Sequence, residues 1–72
     1  MTTKVLAVFV DEYMKDLEFF TTGNVYTMFR RDSGCLMLTD EGGCDWCVSY
    51  MQEGKYAIFG THRLATFLEV KE

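Results

Sequence analysis

The chain has 72 residues, which is enough for one small domain, so we expect a single domain over residues 1–72. Hydrophobic residues make up 49% of the chain, glycine occurs six times and proline is absent, which excludes a disordered or collagen-like chain. The length also excludes a nucleotide-binding α/β fold, a hydrolase triad on its usual scaffold and a kinase core. Composition therefore favours a compact binding module or a subunit of something larger.

Net charge, cysteine content and hydropathy indicate the environment of the protein. Seven basic and eleven acidic residues give a net charge of −4, without the positive stripe that binding to a nucleic-acid backbone requires. The apolar run at residues 5–10 is too short for a membrane span and lacks the charged start and long core of a signal peptide. Three cysteines, an odd number, suit a reducing compartment. We expect a cytoplasmic protein with no membrane partner, and nucleic acid is not a favoured partner.

The first half of the chain begins with a strand followed by a long loop. Residues 4–10 are β-branched and aromatic and are apolar on both faces, so this strand must be covered twice, by the core and by a loop or a partner chain. Residues 11–22 show no clear periodicity and are predicted to form a long loop. Within it, residues 14–20 can form one helical turn, and Phe19 and Phe20 can anchor the loop to the core.

Short strands separated by turns are predicted for the remainder. Residues 40–43 (DEGG) are the strongest hairpin signal, because glycines can adopt positive φ. In the strand at 44–50, Trp46, Val48 and Tyr50 alternate with polar residues, and the alternation favours a core position for Trp46 and Tyr50. The other strands are predicted at residues 25–31, 35–39 and 65–70, with 56–59 either a short strand or a turn.

Five or so short strands in so small and apolar a chain favour a partly closed barrel over an open sheet, because closure removes exposed edges. The fold class predicted is therefore mainly β, a small five-stranded, partly closed barrel with at most one short helical turn. A strand, a long loop and then Phe20-x-x-Gly23-x-x-Tyr26, followed by the hairpin at 38–43 and an aromatic strand, resemble the small SH3-like barrels common in bacteriophage genomes. The resemblance covers roughly residues 4–50.

Members of that family are mostly accessory proteins without catalytic machinery. The resemblance therefore implies a phage-encoded, SH3-like protein that binds a host protein in the host cytoplasm and inhibits or redirects it. Fold similarity alone does not establish a function.

Acidic residues concentrate in two segments. In residues 11–18 only Lys15 offsets the acids, and residues 32–54 contain no lysine or arginine. Such patches can steer a basic partner, and Tyr13 adds a residue type that is common in interface hot spots. The alternative is that these acids are simply solvated surface residues. The predicted partner-binding residues are Asp11, Glu12, Tyr13, Asp16, Glu18, Asp40, Glu41 and Asp45.

A metal site and a catalytic site are less favoured. Cys44 and Cys47 have C-x-x-C spacing, but residues three apart on an extended strand point to opposite faces, so chelation requires the turn to continue through Asp45. Together with Cys35 and His62 they form a conceivable zinc set, whereas free, partly buried thiols are the favoured interpretation. His62, the only histidine, is predicted to be a loop residue, and no serine motif or phosphate-binding glycine loop occurs. We expect no enzyme and no cofactor.

The sequence is compatible with three functions. The first is a non-enzymatic, acidic protein-binding module whose partner has a basic surface. The second is a structural homo-oligomer, such as a homodimer, in which the doubly apolar first strand lies between subunits. The third is a small zinc-stabilised or nucleic-acid-associated domain.

Overall fold

The computed structural model describes residues 2–70, and in this range it contains one short helix and seven β-strands in one sheet. Neighbouring strands pair antiparallel throughout the sheet. The predicted mainly β, barrel-like class is confirmed. The elements in chain order are β1 (Thr2–Val10), α1 (Glu12–Asp16), β2 (Val25–Arg30), β3 (Leu36–Thr39), β4 (Asp45–Cys47), β5 (Ser49–Gln52), β6 (Lys55–Phe59) and β7 (Arg63–Glu69).

The sheet curls into a nearly closed barrel because its two edge strands are consecutive in the chain. The strand order is β4-β3-β2-β1-β7-β6-β5, so β4 and β5 lie at opposite ends of the sheet. Only Val48 separates them in sequence, and its N–H donates to the carbonyl of Leu36 at 2.9 Å. The chain thus crosses from one edge of the sheet to the other at Val48, and this crossing brings the two edges together.

The predicted count of five strands is wrong, and the bend at Val48 is one reason. The single strand predicted at 44–50 is divided: Cys47 pairs with Met37 of β3, whereas Tyr50 pairs with Tyr56 of β6. The segment 56–59, for which the sequence allows a strand or a turn, belongs to the full strand β6. The core position favoured for Tyr50 is also wrong, because Tyr50 lies beyond the bend and is 61% exposed, with its ring against that of Tyr56.

Aromatic rings fill the interior of the barrel and connect the loop after α1 to the strands. The Phe20 ring contacts Phe67 of β7 edge-to-face, with centroids 5.2 Å apart, and contacts Tyr26 of β2 at 5.0 Å. Phe19 is half-buried and packs against Trp46 at 5.3 Å. The predicted anchoring of the loop by Phe19 and Phe20 is confirmed. The fully buried side chains of largest volume are Phe20, Phe67, Met14, Leu38 and Val5.

Candidate functional site

The first acidic segment contains α1, and its local sequence explains why a helix forms there. Asp11 is the N-cap, with extended backbone, and its carboxylate accepts a hydrogen bond from the N–H of Tyr13 at 3.1 Å. Glu12 in the first turn and Lys15 in the last turn both have the sign that the helix dipole favours. The helix stops before Glu18, which adopts a left-handed φ of 59°.

A helix of five residues is not stable by itself, so α1 depends on its anchors. Met14 points into the core and is completely buried. The N–H of Asp11 donates to the carbonyl of Leu64 at 2.8 Å, which fixes the start of the helix on β7. Phe20, four residues beyond the helix, is buried as well. These contacts hold the outward side of α1 in one position.

The outward side of α1 is both apolar and acidic. Tyr13 is 62% exposed and Leu17 is 44% exposed, and their spacing of four residues places them on the same side of the turn. Glu12 and Asp16 have the same spacing and lie beside them, and Glu18 follows. Within residues 2–70, these three carboxylates form no ion pair and accept no side-chain hydrogen bond. We call the set Glu12, Tyr13, Asp16, Leu17 and Glu18 the α1 surface.

Asp11 supports the α1 surface rather than extending it. Its Oδ2 lies 3.2 Å from Nε2 of His62, in the turn between β6 and β7, and the same oxygen caps the helix. The hydrogen bond from His62, followed by the one from the N–H of Tyr13, lowers the pKa of Asp11. The predicted loop position of His62 is confirmed. Asp11 therefore positions the start of α1, and its carboxylate already contacts the N–H of Tyr13 and the ring of His62.

In the second acidic segment, the structure removes Asp40 from the predicted partner-binding set. Its side chain is only 6% exposed. Oδ1 accepts hydrogen bonds from the N–H groups of Gly42 at 2.8 Å and Cys44 at 2.9 Å, and Oδ2 accepts one from Nε1 of Trp46 at 2.8 Å. Burial alone would raise the pKa of Asp40, but the Trp46 and backbone donors outweigh it and lower the pKa. Asp40 holds the β3–β4 hairpin in shape.

Glu41 and Asp45 are exposed but are also engaged within the chain. Oε2 of Glu41 accepts hydrogen bonds from Oγ1 of Thr21 at 2.7 Å and from the hydroxyl of Tyr26 at 3.1 Å. Oδ1 of Asp45 accepts from Oγ1 of Thr39 at 2.8 Å, and its Oδ2 lies 3.6 Å from Nη2 of Arg31. Both residues connect neighbouring segments of the barrel, so docking of a partner would have to compete with these contacts.

The structure thus divides the predicted residues into two groups. Glu12, Tyr13, Asp16 and Glu18 are brought together on one exposed surface, whereas the other four carboxylates serve the fold. Leu17 was missed. The signal that identifies it is its spacing of four residues from Tyr13, which places both residues on one side of a single helical turn.

The alternative zinc set is not assembled. All three cysteines are free and exposed, so the expectation of partly buried thiols is wrong. Cys47 lies on β4, where its Sγ is 3.8 Å from Sδ of Met37, while His62 contacts Asp11 in a different part of the barrel. Over residues 2–70, no three His, Cys, Asp or Glu side chains are placed to hold a metal ion together.

A groove of about 750 Å³ opens at the other end of the barrel, where β1 begins. Tyr50 and Tyr56 form one part of its lining, and their rings meet edge-to-face with centroids 5.8 Å apart. Arg30 also lines it, and its Nη1 donates to the carbonyl of Gly34 at 2.6 Å. No member of the α1 surface lines this groove, so the two features are independent.

Comparison with protein-family models, with curated proteins and with solved structures finds no match to this chain. Among residues 2–70, no helix is long and apolar enough to cross a membrane.

Proposed function

We propose that this protein is a non-enzymatic protein-binding module that docks through the α1 surface onto a basic face of another protein. The observation that carries the proposal is the exposed pair Tyr13 and Leu17, held on an anchored turn and flanked by carboxylates without partners in residues 2–70. The apolar pair favours affinity, the carboxylates favour partner choice and fast association, and the anchored turn favours a preorganised contact.

The apolar pair supports affinity. Tyrosine is enriched among the residues that dominate binding energy, because its ring buries a large area at a small loss of side-chain freedom. Leu17 beside it widens the apolar centre of the contact. The acids around this pair match the usual organisation of interfaces, in which a polar rim surrounds an apolar centre.

The carboxylates support partner choice and association rate. Glu12, Asp16 and Glu18 carry three negative charges within seven residues, and Lys15 is the single basic residue in that stretch. A concentrated negative patch accelerates encounter with a positive surface and disfavours acidic partners. The partner that fits is a protein with lysine or arginine around an apolar pocket.

The anchoring of α1 supports a preorganised contact. Met14, the Asp11 cap and Phe20 fix the turn before any partner arrives. Less conformational entropy is then lost on binding than when a flexible acidic loop must be ordered. In keeping with the resemblance to SH3-like phage proteins, the proposed partner is a host protein in the host cytoplasm, which binding inhibits or redirects.

Affinity capture with two matched charge-reversal variants tests the proposal. In the first variant, Glu12→Lys with Asp16→Lys, the change lies in the α1 surface. In the second variant, Asp32→Lys with Glu53→Lys, the same charge change is made on exposed residues in turns at the other end of the barrel. We expect a protein that co-purifies with the wild type and the second variant but not with the first. Equal recovery with all three would contradict the proposal.

A further inference from the structure

The outer side of β1 is an exposed apolar surface. Its inner residues Val5, Ala7 and Val10 are buried, whereas Val8 and Phe9 are 40% and 44% exposed. The pairing of β1 with β7 shifts between Ala7 and Phe9, and this bulge places two consecutive side chains, Val8 and Phe9, outward. The sequence predicts that a loop or a partner chain covers the second apolar face of β1. Within residues 2–70, nothing covers this outer face at Val8 and Phe9.

Neighbouring strands extend this surface on both sides. Leu6 of β1 is paired with Val25 of β2 and with Leu68 of β7, so the three form a continuous apolar row across the sheet. Val25, Phe59 and Leu68 are 52%, 46% and 42% exposed. We call the set Leu6, Val8, Phe9, Val25, Phe59 and Leu68 the outer apolar face.

Small residues of β6 and β7 lie between the large side chains of the outer apolar face. In the next row, Phe9 is paired with Thr66, and Thr66 with Ala57 of β6. Thr66 and Ala57 are small and are buried at 4% and 0% exposure, although Ala57 does not belong to the core cluster. Among the described residues, Oγ1 of Thr66 is buried without a hydrogen-bond partner. Neither Thr66 nor Ala57 is open to solvent, so the exposed area of this face comes from the large side chains around them.

We propose that two copies of this chain pack their outer apolar faces together as a twofold-symmetric dimer. A twofold interface requires a surface that is complementary to itself, since each contact is repeated in reverse. The outer apolar face can repeat each contact in reverse, because its exposed apolar side chains lie on both sides of β1, with Val25 on β2 and Leu68 on β7. Two sheets packed face to face in this way form a common arrangement in β proteins.

The available area agrees with such a dimer. From the exposed fractions, Val8, Phe9, Val25, Phe59 and Leu68 present roughly 400 Å² of apolar surface, taking about 150 to 200 Å² for each fully exposed side chain. A standard interface buries about 800 Å² per partner, of which roughly 60% is apolar. The polar remainder would come from the margin of the face, where Lys4 and Lys55 flank the Leu6 row.

This proposal does not depend on the proposed function, but it adds to it. The dimer interface includes no residue of the α1 surface, so each dimer presents two copies of that surface. Two linked binding surfaces raise the apparent affinity for a partner that is itself multimeric, without any new contact.

Sedimentation equilibrium of the full chain from 1 to 100 µM tests the dimer. We expect twice the 8.3 kDa mass of one chain, and a dissociation constant raised at least 100-fold by Phe9→Glu or Leu68→Glu, because either places a carboxylate in an apolar contact. The controls Tyr13→Glu and Tyr50→Glu alter the most exposed aromatic residues elsewhere and should leave the dimer intact.

Two results would overturn the dimer: a wild type that stays monomeric at 100 µM, or a dimer that persists in both outer-face variants. Circular dichroism distinguishes dissociation from unfolding, since a dissociated variant keeps its β spectrum. If Phe9→Glu unfolds, the same sedimentation measurement is made on Leu68→Glu and Val25→Glu, which lie at more peripheral positions of the same face. A dimer that persists in both of these variants would overturn the proposal. The charge-reversal variants of α1 should remain dimeric, so failure of the proposed function can be told apart from failure of this inference.

Discussion

The indole nitrogen of Trp46 donates a hydrogen bond to Oδ2 of Asp40 at 2.8 Å and so ties β4 to the turn that precedes it. The other carboxylate oxygen of Asp40 accepts from the N–H groups of Gly42 and Cys44. A buried carboxylate with three donors stabilises a fold because charge-assisted hydrogen bonds offset its desolvation. An acid that sequence alone places in a docking patch is thus part of the hairpin itself.

We predict that Asp40→Ala lowers the free energy of unfolding by about 2 to 4 kcal/mol, because it leaves the buried N–H donors without an acceptor. Urea denaturation at pH 7 measures this change. Asp32→Ala is the matched control, since it removes an exposed acid from the turn between β2 and β3 and should change stability by less than about 0.5 kcal/mol. Equal effects of the two substitutions would contradict the structural role of Asp40.

The stability contributed by Asp40 should depend on pH. Its pKa in the folded protein lies below the ordinary value of 3.8, so the stabilisation is fully present above that value and is lost as the pH falls through the folded-state pKa. The difference in unfolding free energy between the wild type and Asp40→Asn should therefore be constant from pH 7 to about 5 and shrink below about pH 4. Urea titrations across this range measure it. A difference that stays constant down to pH 2.5 would mean that Asp40 does not titrate with folding.

Met14 should be the main anchor of α1. It is completely buried, so Met14→Ala should lower the free energy of unfolding by about 2 to 5 kcal/mol through lost contacts and a cavity. Leu17→Ala, three residues away at a 44% exposed position, should change it by less than about 1 kcal/mol. Thermal or urea unfolding compares the two. Similar losses at both positions would show that α1 is not fixed through Met14.

The three cysteines should react as free thiols in the folded protein. All are exposed, so a thiol reagent such as Ellman's reagent should modify three groups per chain without denaturant. Treatment with a chelator should leave the melting temperature unchanged, because residues 2–70 bring no metal-binding cluster together. Thiols that react only after chelation, together with a lower melting temperature, would restore the zinc alternative.

The sequence predicts most accurately the strands whose ends are defined by nearby turn residues and whose faces are defined by local alternation. Residues 25–31, 35–39 and 65–70 are strands in the structure to within one or two positions, because turn residues and alternation define them locally. The bend at Val48 was not predictable in the same way. Alternation continues through it unchanged, and only closure of the barrel makes the two halves of segment 44–50 pair with different strands.

In the candidate site, too, features that depend on neighbouring residues are predictable from the sequence, whereas features that depend on contacts made by folding are not. Exposure of Tyr13 follows from its neighbours in an acidic segment, and the structure confirms it. The burial of Asp40 depends on Trp46 six residues later, so a count of charges along the chain could not reveal it. An aspartate two residues before a glycine is nevertheless a known signal for a side chain that caps its own turn, and it applies to Asp40 and Gly42.

Docking through the α1 surface is tested by the kinetics of association with the captured partner. The rate constant is measured as a function of salt for the wild type, for Glu12→Lys with Asp16→Lys, and for Asp32→Lys with Glu53→Lys. We predict that the α1 variant associates at least tenfold more slowly at low salt and that this gap narrows as salt screens the charges, while the second variant stays close to the wild type. Equal rates for the two charge-matched variants would contradict docking through the α1 surface.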